Sequence, residues 1–221
     1  MLLRVAVFFP GFSAVLLYRI AHLLHTRLPG GLALAAWVPT RLSGVLIGVN
    51  LSPAMHAGPG LMVNHTGNVF FGPSSVGSNC NVSHGVTVGQ SSITDDGLMD
   101  VPVIGDRVWI GPNAVIVGKV RLGDDASVSA NSLVARDVPA GGVAIGVPAR
   151  VVSRMGSFRQ VRYYGMDADP DRLAAMKAIA RLEPAAPLEQ AAPLEQAAPL
   201  EQAAPLERAA PAPAGFGETA R

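Results

Sequence analysis

Two histidines hold equivalent places in this chain. His65 stands two residues after Val63, and His84 two after Val82. The two valines are 19 residues apart, one 18-residue period plus a one-residue slip. The imidazoles are therefore expected to stack on adjacent turns of a repeating backbone, about 4.8 Å apart in backbone terms. Imidazole exchanges its proton near neutral pH, which suits a general base. Two rings that close disfavour double protonation, which holds at least one neutral. A polar ladder on one face is the other reading of the pair. No third ligand shares their register, which argues against zinc. All 16 carboxylates lie at or after Asp95. Any carboxylate that assists either histidine must then come from a later segment, with Asp95, Asp96 and Asp100 as candidates. Cys80, the single cysteine, sits among small residues and is expected to pack rather than react.

The elements that must position these histidines are short. Ile104, Ile110, Ile116, Leu122, Val128 and Val134 recur every six residues, four of them followed by Gly or Ser. Upstream, Leu51, Ala57, Val63 and Val69 keep a second six-residue frame. It slips by one at Gly72-Pro73-Ser74-Ser75 and resumes at Val76, Val82 and Val88. A helix of period 3.6 does not repeat at six over this many turns, and a simple strand does not need Gly at one phase. A solenoid coil does, with one aliphatic per strand in a central stack and Gly or Asn at the turns. The frame from Val88 calls for a core residue at 94, yet the repeat resumes at Ile104. About ten residues are thus extruded within 90–101, and a long excursion from a regular scaffold is often functional.

The six-residue repeat resembles the hexapeptide-repeat acyltransferases, whose fold is a left-handed parallel β-helix with three hexapeptides per coil. Further motifs narrow the resemblance to the serine O-acetyltransferase-like group, with its polysaccharide and specialised-metabolite relatives. They are Tyr18-Arg19-Ile20-Ala21-His22, Gly48-Val49-Asn50-Leu51-Ser52-Pro53-Ala54, Gly60-Leu61-Met62-Val63-Asn64-His65 and Gly146-Val147-Pro148-Ala149-Arg150. The run from Ser83 to Gln90 is more similar to those relatives than to the cysteine-pathway enzyme. The likeness covers about residues 10–155.

The resemblance implies direct acetyl transfer from acetyl-CoA to an acceptor hydroxyl, with His65 as general base, His84 as a second or orienting group, and no metal. Asn50 falls where the family has the aspartate that partners the histidine. Asn64 replaces the aspartate before the histidine, Pro73 a glutamate, and Asp100-Val101 an Arg-His pair. An Asn can orient an imidazole but cannot stabilise imidazolium by charge; in a serine protease the same exchange costs about 10⁴ in rate. Asn64, Asp95, Asp96 and Asp100 are candidate acceptor contacts. Gly89, Gly111 and Ala130 match positions along the pantetheine arm. Arg150 matches a phosphate contact, with Lys119 and Arg136 as candidates by charge. The family works as a homotrimer or a dimer of trimers. The acceptor is L-serine by default; a sugar or specialised-metabolite hydroxyl is the alternative, and a catalytically weakened scaffold the reading from another class.

The chain has 221 residues, which allows one domain with appendages. A net charge of +1 argues against nucleic acid as a partner. No apolar run reaches about 18 residues and no signal peptide is evident, so a cytoplasmic location is expected. Residues 1–47 read as helices, with Pro10-Gly11 as a start, Pro29-Gly30-Gly31 as a break, and Pro39 kinking or shortening a second helix over 32–46. Their four arginines, Arg4, Arg19, Arg27 and Arg41, with no carboxylate, also suit contact with an anionic membrane surface; burial inside a trimer is the competing expectation. Residues 48–155 are the β-helix domain and 156–183 a C-terminal helix. From Ala185 the unit Ala-Ala-Pro-Leu-Glu-Gln recurs. One Leu per six residues and Pro at a fixed phase predict a disordered tail over 184–221. Deleting 184–221 should accordingly leave the melting temperature nearly unchanged by circular dichroism; a large drop would show that the tail packs.

Overall fold

The computed structural model describes residues 9–29, 34–91 and 100–182. Two helices come first, α1 (Pro10–Arg27) and α2 (Trp37–Ile47). Pro39 sits in the first turn of α2, where its missing amide would be unpaired in any helix. It therefore shortens the element rather than kinking it. Gly48 ends α2 with φ +74°, a conformation that favours glycine.

Short parallel strands then wind into a β-helix. One sheet holds β1 (Val49–Leu51), β4 (Val69–Phe71), β7 (Thr87–Gly89), β10 (Val115–Val117) and β13 (Leu133–Val134). A second holds β2 (His56–Ala57), β5 (Ser75–Val76), β8 (Val103–Ile104) and β11 (Arg121–Leu122). The third holds β3 (Met62–Val63), β6 (Asn81–Val82), β9 (Trp109–Ile110), β12 (Ser127–Val128), β14 (Val143–Gly146) and β15 (Ala149–Ser153). Each sheet takes every third strand through β13; the next place in the second sheet is held only by a bridge from Val138 to Leu122, so β14 follows β12 in the third sheet, and β15 turns back antiparallel on β14.

The predicted hexad residues are all buried, from Leu51 through Val134. Each aliphatic taken from water contributes roughly 1.5–3 kcal/mol. The register corrects the frame near the first histidine. Leu51 pairs with Phe71, and Phe71 with Val88, so Phe71 is the stack residue, while Val69 pairs with Val49 one step outside it. The single slip expected at Gly72–Ser75 is a two-residue expansion after Val63, partly undone before Val76. Gly67 (φ +115°) and Asn68 (φ +53°) absorb the extra residues. The turn carrying His65 is thus the widened one. The ten-residue excursion is confirmed by pairing: Val76 meets Ile104, while Ile104 meets Leu122 only 18 residues on. Most of that excursion, with Asp95 and Asp96, lies outside the described residues, as does the tail.

The helices seat on the first coil by hydrogen bonds to its carbonyls. Tyr18 donates to Met55 O at 2.9 Å, Arg19 to the carbonyls of Ala57 and Gly58, and Thr40 to Leu51 O. His22 Nδ1 lies 2.9 Å from Pro53 O. A side chain at Gly11 would strike the Val63 carbonyl, so glycine lets α1 approach. At the far end, α3 (Pro170–Leu182) is the helical part of the 156–183 segment. Asp169 fixes its start by accepting from the amides of Asp171 and Arg172, and Pro170 follows at the first helical position. Arg172 donates to Val161 O and Phe158 O.

A buried ion pair anchors this segment to the coils. Arg107 Nε and Nη2 donate to the two carboxylate oxygens of Asp125, 2.8 and 3.0 Å away. Both residues occupy left-handed turn positions on adjacent coils, in a ladder with Gly60, Asn79 and Gly141. Arg is the residue on that ladder least suited to positive φ, at a cost of roughly 1–2 kcal/mol, and the bidentate pair offsets it. The Asp125 carboxylate favours the charged guanidinium and raises the Arg107 pKa further. Ser157 donates its hydroxyl to Arg107 O and its amide to Asp125 O. Asp125→Ala should destabilise the fold by about 3–5 kcal/mol, because the arginine stays buried without its partner. Asp124→Ala, which removes one exposed bond to the Asp106 amide, should cost about 1 kcal/mol. Urea unfolding of both variants checks the contrast.

Candidate active site

His65 and His84 meet at one corner of the β-helix, between the third sheet and the five-stranded sheet. β3 pairs with β6 in the register Val63↔Val82, which brings the two turns side by side. The rings contact edge to face, with centroids 5.8 Å apart and planes at 69°. Both side chains are exposed, as is Asn64 beside them. Gly85, at φ +68°, turns the chain after His84, and its amide donates to Gly67 O in the widened turn. The His84 carbonyl accepts from the Asn113 amide, and Pro112 O from Asn131. Gly111 and Ala130 therefore continue the same corner on the next two coils.

Asn50 faces α2. None of the hydrogen bonds among the described residues joins it to His65. Its side-chain oxygen lies against Gly44 of α2. There it lines a cavity of about 400 Å³ over β1 and β4, together with Trp37, Arg41, Phe70 and Pro73. Two positions where the chain departs from the resembling family, Asn50 and Pro73, thus share one wall. Arg41 and Trp37 were missed in the sequence, because only the packing of α2 brings them to that cavity. The Arg107–Asp125 pair was also missed, although its 18-residue separation is the coil period and was a readable signal.

Gly89, Lys119 and Arg136 sit at the other end of the five-stranded sheet, and Arg150 and Asp100 lie elsewhere. Gly89 closes β7 and leaves open space where a side chain would stand. Lys119 and Arg136 follow β10 and β13 by two residues, both exposed. Arg150 is exposed on β15, with Nη1 3.1 Å from Ala149 O. Asp100 is half-buried where the excursion rejoins the coil. One protomer thus presents the histidines at one end of the five-stranded sheet and Lys119 and Arg136 past the other, while Arg150 lies on β15 of the third sheet, paired with Ile145 of β14. Among the described residues, no cluster of three His, Cys, Asp or Glu side chains has metal-binding geometry.

A family model, the bacterial transferase hexapeptide (six repeats), matches residues 102–136. The chain is 34% identical over 153 residues to the serine acetyltransferase of Mycobacterium tuberculosis, covering 69% of this chain and 65% of that protein. It is 32% identical over 152 residues to the serine acetyltransferase of Helicobacter pylori strain J99, covering 68% of this chain and 86% of the relative. The chain belongs to the serine acetyltransferase family. Among solved members, the Neisseria gonorrhoeae enzyme superposes with a TM-score of 0.62 at 33% identity, covering 76% of this chain and 62% of that one. The Brucella abortus serine acetyltransferase in complex with coenzyme A gives 0.60 at 30% identity, covering 65% and 56%. Against most of these family members the chain spans less than two thirds of the relative's own length.

Cys80 is buried within the coils, its sulfur 3.1 Å from Gly105 O. Burial pushes its thiol up to about 12, far from the range of a nucleophile. In the folded protein Cys80 should react with dithionitrobenzoate at least about tenfold more slowly than in urea. Rapid labelling of the native state would contradict its placement.

Proposed function

We propose that this protein is an acetyl-CoA-dependent O-acetyltransferase in which His65 is the general base. The paired histidines on a widened, exposed turn of a serine acetyltransferase-family β-helix carry this reading. His65 takes the proton from the acceptor hydroxyl as that oxygen attacks the thioester carbonyl. The C–S bond breaks, the ester forms, and the imidazolium returns the proton to the departing CoA sulfur. His84, edge-on to His65, orients the ring. A buried Cys80 fits direct transfer without an acyl-enzyme.

The cofactor stretches along the ends of the five-stranded sheet. The open space at Gly89 admits the pantetheine arm close to backbone, Gly111 and Ala130 offer further small-residue surface, and Lys119, Arg136 and Arg150 meet the phosphates. Because the histidine corner lies at one end of the five-stranded sheet and Lys119 and Arg136 lie past the other, a complete site draws on two protomers. That supports a homotrimer, alone or as a dimer of trimers. Its expected compartment is the cytoplasm.

The acceptor is a small hydroxylated molecule that meets His65 on the exposed histidine corner; the roughly 400 Å³ cavity beside Asn50 is lined by neither histidine. Asn50, Pro73 and Val101 depart from the serine enzyme's pattern, which favours a sugar or specialised-metabolite hydroxyl over L-serine. Asn64 and Asp100, with Asp95 and Asp96 from the excursion, are the acceptor contacts. Asn50 contributes a neutral wall rather than charge support.

An acceptor screen with acetyl-CoA, read as free thiol release, tests the activity. With the acceptor found, His65→Ala should lower kcat by roughly 10²–10⁴ and leave acetyl-CoA binding nearly unchanged. His84→Ala should lower it less. Full activity in His65→Ala would assign the base wrongly, and full activity in both variants would remove the catalytic reading.

A further inference from the structure

The two N-terminal helices carry their apolar residues on the wrong side for a globular core. α2 buries Thr40 and Ser43 against the first coil. It turns Trp37, Val38, Leu42, Val45 and Leu46 outward, with Val45 84% and Leu46 75% exposed. α1 buries Gly11, Ala14, Tyr18 and Ala21, and exposes Phe12, Leu16, Ile20 and Leu23 at steps of four, four and three. The two stripes are fixed outward, because Tyr18, Arg19 and Thr40 hold the opposite faces on the carbonyls of the first coil. On α2 these side chains line one surface groove together with Arg41, and exposed apolar surface gathered in this way marks an interaction site.

Charge selects the occupant. The first 94 residues contain no carboxylate, and Arg27 and Arg41 stand exposed at the end of the α1 stripe and within the α2 face. Were this face to meet its own copy about a two-fold axis, arginines would face arginines with no acid on either side. An anionic lipid surface instead accepts the apolar side chains into the acyl boundary and the guanidinium groups among the headgroups. Tryptophan beside arginine is the composition of such an interface. Among the described residues no helix is long and apolar enough to cross a membrane, so the helices lie in the surface plane. We propose that the outward face of α1 and α2 docks this protein on anionic bilayers.

The full chain tests this, by sedimentation with vesicles of phosphatidylcholine and phosphatidylglycerol and with vesicles of phosphatidylcholine alone. The expected result is binding to the anionic vesicles that weakens with salt. Leu42→Glu with Val45→Glu should reduce that binding by more than about tenfold. Both side chains are exposed, so the melting temperature should hold. In a Trp109→Phe background, brominated lipid in the anionic vesicles should quench Trp37 fluorescence. Three results overturn the proposal: no binding to anionic vesicles, equal binding by the double variant, or an unquenched Trp37. If Trp37 stays unquenched while the double variant lowers the mass seen by light scattering, the face joins copies of this chain instead.

Discussion

Parallel closure of one coil on the next governs everything else in this molecule. Each strand is only two or three residues long over most of the β-helix, too short to persist alone. It exists because its amides bond the coil above and its single inward aliphatic stacks on the coil below. Stability in such a fold is a sum of nearest-neighbour terms. A change in one turn is therefore paid locally, provided the inward residue returns to register. The widened turn at His65 and the ten-residue excursion after β7 both satisfy that condition: Phe71 and Ile104 return to the stack.

This separation of frame from turn explains how chemistry is carried. The strands supply a fixed rise, and the turns supply side chains that need no packing role. His65 and His84 are held by the backbone bonds around them, and their rings touch because neighbouring coils must lie one strand spacing apart. The same rule, applied at the next corner, sets Arg107 on Asp125. There the product is a buried bidentate pair instead of an exposed aromatic one, because Ser157 and the C-terminal segment cover that corner.

The coil period was readable because only one residue type satisfies the inward position, and a run of Ile, Leu and Val at six leaves little choice. The contact of His65 with His84 followed from the same count. The position of the slip did not, because Val69 and Phe71 both point inward and the sequence gives no ground for choosing between them. The placement of Asn50 was equally hidden. Its neighbour is Gly44, on an α2 whose packing has no periodic signature: Thr40 and Ser43 are the buried residues and the aliphatics are outside. The C-terminal helix began late because Asp169-Pro170 makes a stronger start than anything before it.

The hydrogen bonds from Tyr18, Arg19 and Thr40 have a consequence for assembly. The first coil of a β-helix ends in a row of carbonyls with no earlier coil to bond them, and such an edge is a template for another chain's amides. Those three side chains occupy the acceptors at Met55, Ala57, Gly58 and Leu51. The solenoid is thereby given a beginning. Coil-on-coil stacking, which could in principle continue from molecule to molecule as a fibre, stops at a plug made of one phenol, one guanidinium and one hydroxyl.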